Sequence, residues 1–396
     1  MLSDLTSALQ LKNYPVTVIT SRLRYDRAAM RLPKREIWRG VSVIRIWSTA
    51  FGRKSLPSRA MDYLTFYLSA VLAVLIHGRR GYVLVALTDP PMIGTVLHVF
   101  ARLRGMRVVH WLQDIFPEVA QVLLPSGKNT WIFRIAKWFR NVSLKRSDAT
   151  VVLGERMAER VLAQGVAAAK IHQISNWADE ASLAPVAPEQ NPLRQSWGLQ
   201  GKLVIGYSGN LGRAHEFETI VQAIVLTRGY ENLKFLFIGD GAQLAPLKQR
   251  LHSLELLDRV HFEGYQPREN LSASLSAADV HLVSLQPELE GLIVPSKLYG
   301  ALAVGRPVIF IGDVDGEVAR VLKRNQCGFS VAVGDPQALA RAIQAYLDAF
   351  ILLATGALAR TAFLQNHTCA TAVKCWEAVL CHLTSPPTRL ESYEFR

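Results

Sequence analysis

Cysteine is scarce in this sequence and poorly spaced for chemistry: Cys327, Cys369, Cys375 and Cys381 are the only four, and no two form a CxxC pair. Three of them fall in one late helical stretch, where a thiol acts as a small apolar group, so neither a zinc ribbon nor a disulfide framework is expected. A reducing, cytosolic compartment follows, and no secretory leader pattern opens the chain. Acidic residues are also in deficit, 32 against 45 Lys and Arg, which leaves a net charge of +13. Such an excess implies an anionic partner: a nucleotide, a membrane surface or a nucleic acid. Nucleic acid is set aside, because the sequence carries no helix-turn-helix, zinc-finger spacing or basic–aromatic recognition pattern. Long apolar runs are missing too. The charge-free run Tyr63 to Ile76 is fourteen residues. A bilayer-spanning helix needs roughly 20, so a buried or interfacial helix is predicted instead.

What the chain does have is 396 residues, 50 % hydrophobic, with a mean hydropathy of +0.15. That is enough for two cores, and two domains are expected. In the first half, Leu2 to Lys12 reads as a helix. Pro15 to Thr20, Tyr82 to Leu87, Met106 to Trp111, Thr150 to Leu153 and Ile171 to Trp177 read as strands, with helices over Ile93 to Arg104 and Trp131 to Arg146. Strands alternating with helices imply a parallel sheet whose ligands gather at the strands' C-terminal ends, where Asp89, His110, Gln113, Asp114 and Glu118 stand. Asp114 is the candidate there, able to orient or deprotonate a hydroxyl, or else to cap a helix. A doubly wound domain places a strand and a glycine turn before its first helix. Neither precedes Leu2, so either the true start lies upstream, which is favoured because losing a central strand leaves two unpaired edges inside a parallel sheet, or the N-terminal domain lacks its first strand. From Arg22 to Arg59 eleven Lys or Arg face two acids, Asp26 and Glu36. The stretch is either a solvated loop or, beside the apolar run that follows, a surface seated on anionic lipid. Trp131, Ile135, Trp138 and Val142 make one stripe of a helix, expected to pack on the core while Arg134, Lys137 and Lys145 meet solvent.

Ser182 to Leu199 holds Pro185, Pro188 and Pro192 without periodicity, which is linker composition. The alternation restarts at Leu203. Leu203 to Ile205 is a strand that stops at Gly206, and a turn with Gly209 and Gly212 leads to a helix over Glu216 to Leu226. Glycines let a backbone approach a ligand, the helix N-terminus offers free N–H groups, and Arg213 adds a full charge, so a phosphate or diphosphate suits the place; a tight turn alone would also explain the glycines. Leu233 to Ile238 then runs into Gly239, and further strands follow at Val260 to Phe262 and Asp279 to Ser284. The densest group of polar residues is Glu288, Glu290, Gly291, Pro295, Ser296 and Lys297, with Lys297 opening a helix that reaches Val304. A cation at that helix end attracts phosphate. After the strand Val308 to Ile311, Asp313 and Asp315 form a DxD pair of the kind that can hold a divalent ion, though turn-rich loops produce it by chance; no metal is expected.

Taken together, GYSGNLGRAHEFET, FIGDGAQ, EGLIVPSKLYGALAVGRPVIFIGD and DGE, preceded by TDPP and HWLQDIFPE, resemble the retaining glycosyltransferases of family 4 that build bacterial exopolysaccharide, capsule or O-antigen. The resemblance covers about residues 2 to 384. It implies an α/β GT-B fold: two Rossmann-like domains facing a cleft, an acceptor-side domain over 1–181, a linker over 182–201 and a nucleotide-sugar domain over 202–366. It further implies a helical segment over 367–384 crossing back to the first domain, with a tail over 385–396. By the same resemblance Gly209, Asn210, Gly212, Gly239, Pro295 and Ser296 line the donor, Arg213 and Lys297 neutralise the departing diphosphate, Glu290 contacts the donor sugar and Asp114 faces the acceptor. The implied partners are a UDP- or GDP-sugar, a lipid-linked or polysaccharide acceptor and an anionic membrane surface, for a peripheral cytoplasmic enzyme without cofactor. Many relatives carry a glutamate where this chain has Gly300, so the ribose needs another partner, for which Glu317 is the candidate. A nucleotide-sugar 2-epimerase on the same fold is the alternative enzyme, and a truncated, non-catalytic nucleotide-sugar-binding relative is the alternative outside catalysis.

Overall fold

The computed structural model describes residues 1–23, 32–52, 56–124 and 131–384; the 385–396 tail lies outside them. The first half runs α1 (Leu2–Leu11), β1 (Thr17–Ser21), β2 (Arg35–Trp38), β3 (Val41–Ile46), α2 (Leu56–His77), β4 (Val83–Ala86), α3 (Ile93–Leu103), β5 (Arg107–Trp111), α4 (Glu118–Leu123), α5 (Trp131–Arg146), β6 (Ala149–Val152), α6 (Glu155–Ala163) and β7 (Ile171–Gln173). The second half runs α7 (Pro192–Ser196), β8 (Leu203–Ser208), α8 (Glu218–Leu226), β9 (Leu233–Ile238), α9 (Leu244–Ser253), β10 (Val260–Glu263), α10 (Leu271–Ser276), β11 (Val280–Ser284), α11 (Lys297–Ala303), β12 (Val308–Ile311), α12 (Glu317–Asn325), β13 (Gly328–Val331), α13 (Pro336–Ala345), α14 (Ala349–Asn366) and α15 (Cys369–Thr384).

The second half is one six-stranded parallel sheet in the order β10-β9-β8-β11-β12-β13. Its strands are near-continuous apolar runs because helices cover both faces; all five residues of β11 are buried. The first half is built differently. It has two sheets, three-stranded β2-β3-β1 and four-stranded β4-β5-β6-β7, and among the described residues β1 pairs only with β3 and β4 only with β5. Shared helical layers join the two sheets: α1 and α15 pack beneath with Val16, Val83, Val85 and Trp111, while α2 and α3 cover the other face with Ile19, Ile46, Leu84 and Val108. Among the described residues no strand lies between β1 and β4.

Several readings of the sequence change. The basic stretch from Arg22 to Arg59, read as a solvated loop or a surface on anionic lipid, holds β2 and β3, in register as an antiparallel pair with Glu36 opposite Val43; its residues 24–31 and 53–55 lie outside the described residues. Lysine and arginine hid their alternation. The strand read over Ile171 to Trp177 is the three-residue β7, with Ile174 and Trp177 turning into the core beneath β5 and β6. Residues 182–201 fold onto the second half: Asn191 caps α7, and the buried Arg194 reaches Asp279 at 2.8 Å as well as the carbonyls of Leu199 and Lys202. The apolar run around Tyr63 becomes a helix of 22 residues, by length and composition long enough to cross a membrane. On α5 the basic residues Arg134 and Lys145 meet solvent as expected, but the apolar stripe does not form the inner face: Arg140, Ser143 and Leu144 are buried, and Trp131, Ile135 and Trp138 are exposed. Arg140 is inside because its guanidinium meets both oxygens of Glu118 and the Phe116 carbonyl.

The chain crosses between the halves twice, and the crossings touch. Ala178 donates its N–H to the His367 carbonyl at 3.2 Å, and the Ser175 hydroxyl meets His367 Nδ1 at 2.9 Å. Beyond that point α15 lies on α1, with Trp376 edge-on to Trp111 at 4.9 Å.

Candidate active site

The glycine turn after β8 and the start of α11 converge at the C-terminal ends of β8, β9 and β11, around a cleft of about 280 Å³ lined by Gly209, Tyr265, Ser274, Leu275, Lys297 and Gly300 among others. Gly209 has φ +120°, and a Cβ there would stand 2.9 Å from Lys297 Cε; Gly239 has φ +131°, and its Cβ would collide with the Gly209 carbonyl oxygen. Both positions therefore need glycine, for conformation and for space.

Lys297 is the centre of this arrangement. Its ammonium donates to the Asn210 carbonyl at 3.1 Å and to His215 Nε2 at 2.9 Å, and it sits 4.8 Å from the centre of the Tyr207 ring. His215 Nδ1 lies 2.5 Å from the Ser284 carbonyl, which only accepts, so Nδ1 carries the proton and Nε2 is left to accept from the lysine. Burial and the nearby ammonium hold the imidazole neutral, its pKa pushed down to about 4, and burial lowers Lys297 to about 8. Among the described residues no carboxylate pairs with Lys297, so a half-buried cation faces the cleft without a counter-ion.

The other residues singled out in the sequence divide around this centre. Asn210 supplies its carbonyl, Gly212 lies under the Asn210 side chain, and Arg213 is exposed, outside the residues that line the cleft, its carbonyl accepting from the Gln286 amide. Pro295 is buried and Ser296 exposed ahead of α11. Glu290 and Glu317 do not line the cleft. Glu290 accepts from the Glu317 N–H at 2.8 Å and caps α12, while Glu317 crosses to the other half, packs on Gly154 and accepts from the Arg156 N–H at 3.0 Å. Burial raises both carboxyls. The space beside Gly300, where a Cβ would stand 3.3 Å from Leu275, is therefore not filled by Glu317. Asp313 and Asp315 are taken up by Arg156 at 3.5 Å and Arg320 at 3.0 Å, and among the described residues no group of three or more metal-ligating side chains is found.

Across the interface, Asp114 pairs as a β-bridge with Ile293, four residues before Lys297. Its carboxyl bonds Thr88, is raised by burial, and leaves Oδ1 buried without a partner. The Asn176 amide donates to Gln113 Oε1 at 3.1 Å, and Gln113 Nε2 and Asn176 Oδ1 are likewise unpartnered. Asp114, Gln113 and Asn176 thus each keep one buried polar atom unsatisfied. The other strand-end candidates belong elsewhere: His110 bonds Ser143 in the core, and Glu118 pairs with Arg140. Sequence reasoning missed His215, although its place six residues past Gly209 was visible, and Asn176, three residues past β7.

Comparison with known proteins completes the picture. Residues 1–177 match the family model "Glycosyl transferase 4-like domain" and residues 189–350 match "Glycosyl transferases group 1". The probable glycosyltransferase WbjE of Pseudomonas aeruginosa is 31 % identical over 74 % of this chain and 72 % of its own length. The putative colanic acid biosynthesis glycosyl transferase WcaI of Escherichia coli K12 is 26 % identical over 67 % and 65 %. Among solved structures, sucrose-phosphate synthase of Thermosynechococcus elongatus superposes with a TM-score of 0.74 at 19 % identity, covering 96 % of this chain and 90 % of that one. Anabaena Alr3699/HepE in complex with UDP and glucose superposes with a TM-score of 0.68 at 17 % identity over 87 % of each chain. The structures share the fold and the sequences share the family: this chain belongs to the GT-B glycosyltransferases of the family 4 type.

Proposed function

We propose that this glycosyltransferase moves a sugar from a nucleoside diphosphate donor to a lipid-linked or polysaccharide acceptor during assembly of a cell-surface polysaccharide, working on the cytoplasmic side of a membrane. The relative named for colanic acid biosynthesis supports the process, and the UDP held by the HepE structure supports the donor class. One observation carries the reading: the half-buried Lys297 ammonium, fixed by Asn210 and a neutral His215 and facing a cleft with no carboxylate in its lining. A buried cation without a counter-ion is a standing site for an anion. In the reaction the bond from the anomeric carbon to the diphosphate oxygen breaks as the acceptor oxygen bonds to that carbon. Lys297 and Arg213 take up the charge that develops on the leaving group. With retention, attack comes from the side on which the diphosphate departs, and a phosphate oxygen receives the acceptor's proton. Asp114, Gln113 and Asn176 hold the acceptor hydroxyls.

Calorimetric titration with UDP, GDP and ADP, repeated on Lys297→Ala, tests the donor site. Saturable binding of one nucleotide, weakened in the variant, supports it. A folded chain that binds none of the three, or a variant that binds as tightly as the wild type, removes it.

A further inference from the structure

Lys297 opens α11, and Gly300 stands three residues on, on the same face and about 4.5 Å further along the axis. Both line the cleft, so a diphosphate held by the lysine has Gly300 one helical turn away. The pentose of a nucleotide hangs from its phosphate by one ester oxygen, and its ring falls at that distance. What it meets there is apolar. Gly300 offers no side chain, a Cβ on it would stand 3.3 Å from Leu275 Cδ1, and Leu271, Leu282 and Val283 continue the wall. Polar groups in this wall are already engaged. The Ser274 hydroxyl donates to the Leu271 carbonyl at 3.2 Å, His281 Nε2 donates to the Leu275 carbonyl at 2.9 Å, and the Tyr265 hydroxyl donates to the Asp240 carbonyl at 3.3 Å. Ser208 adjoins Gly209 at the phosphate end.

A ribose is told from a deoxyribose by a group that accepts from its 2′-hydroxyl, for which nucleotide sites use a carboxylate. Among the described residues no carboxylate lines the cleft. Those on neighbouring segments are occupied or exposed: Asp240 accepts from the Gly241 N–H at 2.7 Å and Asp279 from Arg194 at 2.8 Å, Glu263 meets His261 Nε2 at 2.9 Å, and Glu269 is exposed outside the lining. We infer that this cleft does not read the 2′-hydroxyl of its nucleotide, so that a deoxyribonucleoside diphosphate sugar is taken as readily as its ribonucleoside counterpart. The inference deepens the donor reading given above and rests on it. A 2′-hydroxyl set against Leu275 gives up water and gains no partner, whereas a hydrogen in its place costs nothing.

Calorimetric titration of the full chain with two matched pairs tests this: UDP against 2′-deoxy-UDP, and GDP against 2′-deoxy-GDP. Each pair differs by one oxygen atom. The nucleotide that binds and its deoxy partner are expected to agree in Kd within about threefold. A preference for the ribo form of about tenfold or more, the value of one hydrogen bond to a charged group, overturns the inference and leaves the donor site standing. A folded chain that binds none of the four removes the donor reading, and the inference falls with it. Gly300→Glu locates the pentose. With a carboxylate beside Leu275 the variant should favour the ribo form by about tenfold. Equal binding of both forms by the folded variant shows that the pentose lies elsewhere and overturns the assignment. Where the glutamate variant does not fold, Gly300→Gln, of the same length and uncharged, is read in its place, with an expected preference of about threefold.

Discussion

The two halves are made of the same kinds of element and are finished differently. In the C-terminal half six strands form one ladder, and four of the six residues of β8 are buried. In the N-terminal half β1 has one exposed and four half-buried residues, β4 has three half-buried, and the outer helices turn leucine and tryptophan to solvent. The comparison assigns labour. A half that completes its own core can hold a small, soluble, charged donor in a rigid cleft. On the function proposed above, the half that leaves apolar surface uncovered is the one left to meet the acceptor.

The largest effect is expected where the C-terminal half is most closed. Asp279 accepts from Arg194 and from the Val204 N–H, both at 2.8 Å, and removing it strands a buried guanidinium. Asp279→Ala should cost about 3–5 kcal/mol in a denaturant melt, and a loss under about 1 kcal/mol would show the pair to be idle. Next is the anion site. Lys297→Ala should weaken diphosphate binding by roughly 1.5–3 kcal/mol, with Arg213→Ala at the lower end of that range because its side chain is exposed. The same lysine sets a pH dependence. With its pKa lowered to about 8, it is charged below that value, so nucleotide affinity should hold at neutral pH and fall as pH rises through 8, a trend that Lys297→Arg should remove. In the free protein the sign for stability is opposite: between about 8 and the ordinary lysine range the folded chain binds fewer protons than the unfolded one, so this group's contribution to stability grows with pH in that window.

Smaller effects sharpen the contrast. Hydrogen exchange should find the amides of β1 and β4 that face away from β3 and β5 exchanging roughly tenfold or more faster than those of β8 and β11, and equal protection would mean the two halves are equally closed. Gly300→Glu should tighten nucleoside binding by about 1 kcal/mol through a new carboxylate beside the cleft, readable in the same titration against the nucleobase alone. Because Gly300 lies within α11, the same change should raise the melting temperature slightly.

The sequence made some of this legible because the signals are short-ranged. The β8 run and the glycines that follow it sit within a few residues of one another, as do Pro295, Ser296 and Lys297 at the start of α11, and the structure brings the two segments together at Gly209 and Lys297. What stayed hidden depends on partners far along the chain. Nothing local says that His215 would be fixed by Ser284 and so become an acceptor for Lys297, or that Glu317 would leave its own half for the amide of Arg156. The α5 stripe shows the limit most plainly. Periodicity reveals that a helix has two faces but not which one is inside, and Arg140 is buried only because Glu118 is there to receive it. The β2–β3 hairpin was obscured for a related reason, since charged residues on an exposed sheet edge mimic a loop.

The paired crossings give the molecule its mechanics. Residues near 178 and 367 pass between the halves at the same spot and are bonded to each other there, and His367 also lies 5.1 Å from the ring of Tyr299, two residues after Lys297. Two crossings bonded side by side mark the one line about which a swing of the halves would leave both connections intact. Opening would then part Glu317 from Arg156 and Asp114 from Ile293 as a single swing, while the His215–Lys297 pair, lying wholly on one leaf, would travel undisturbed.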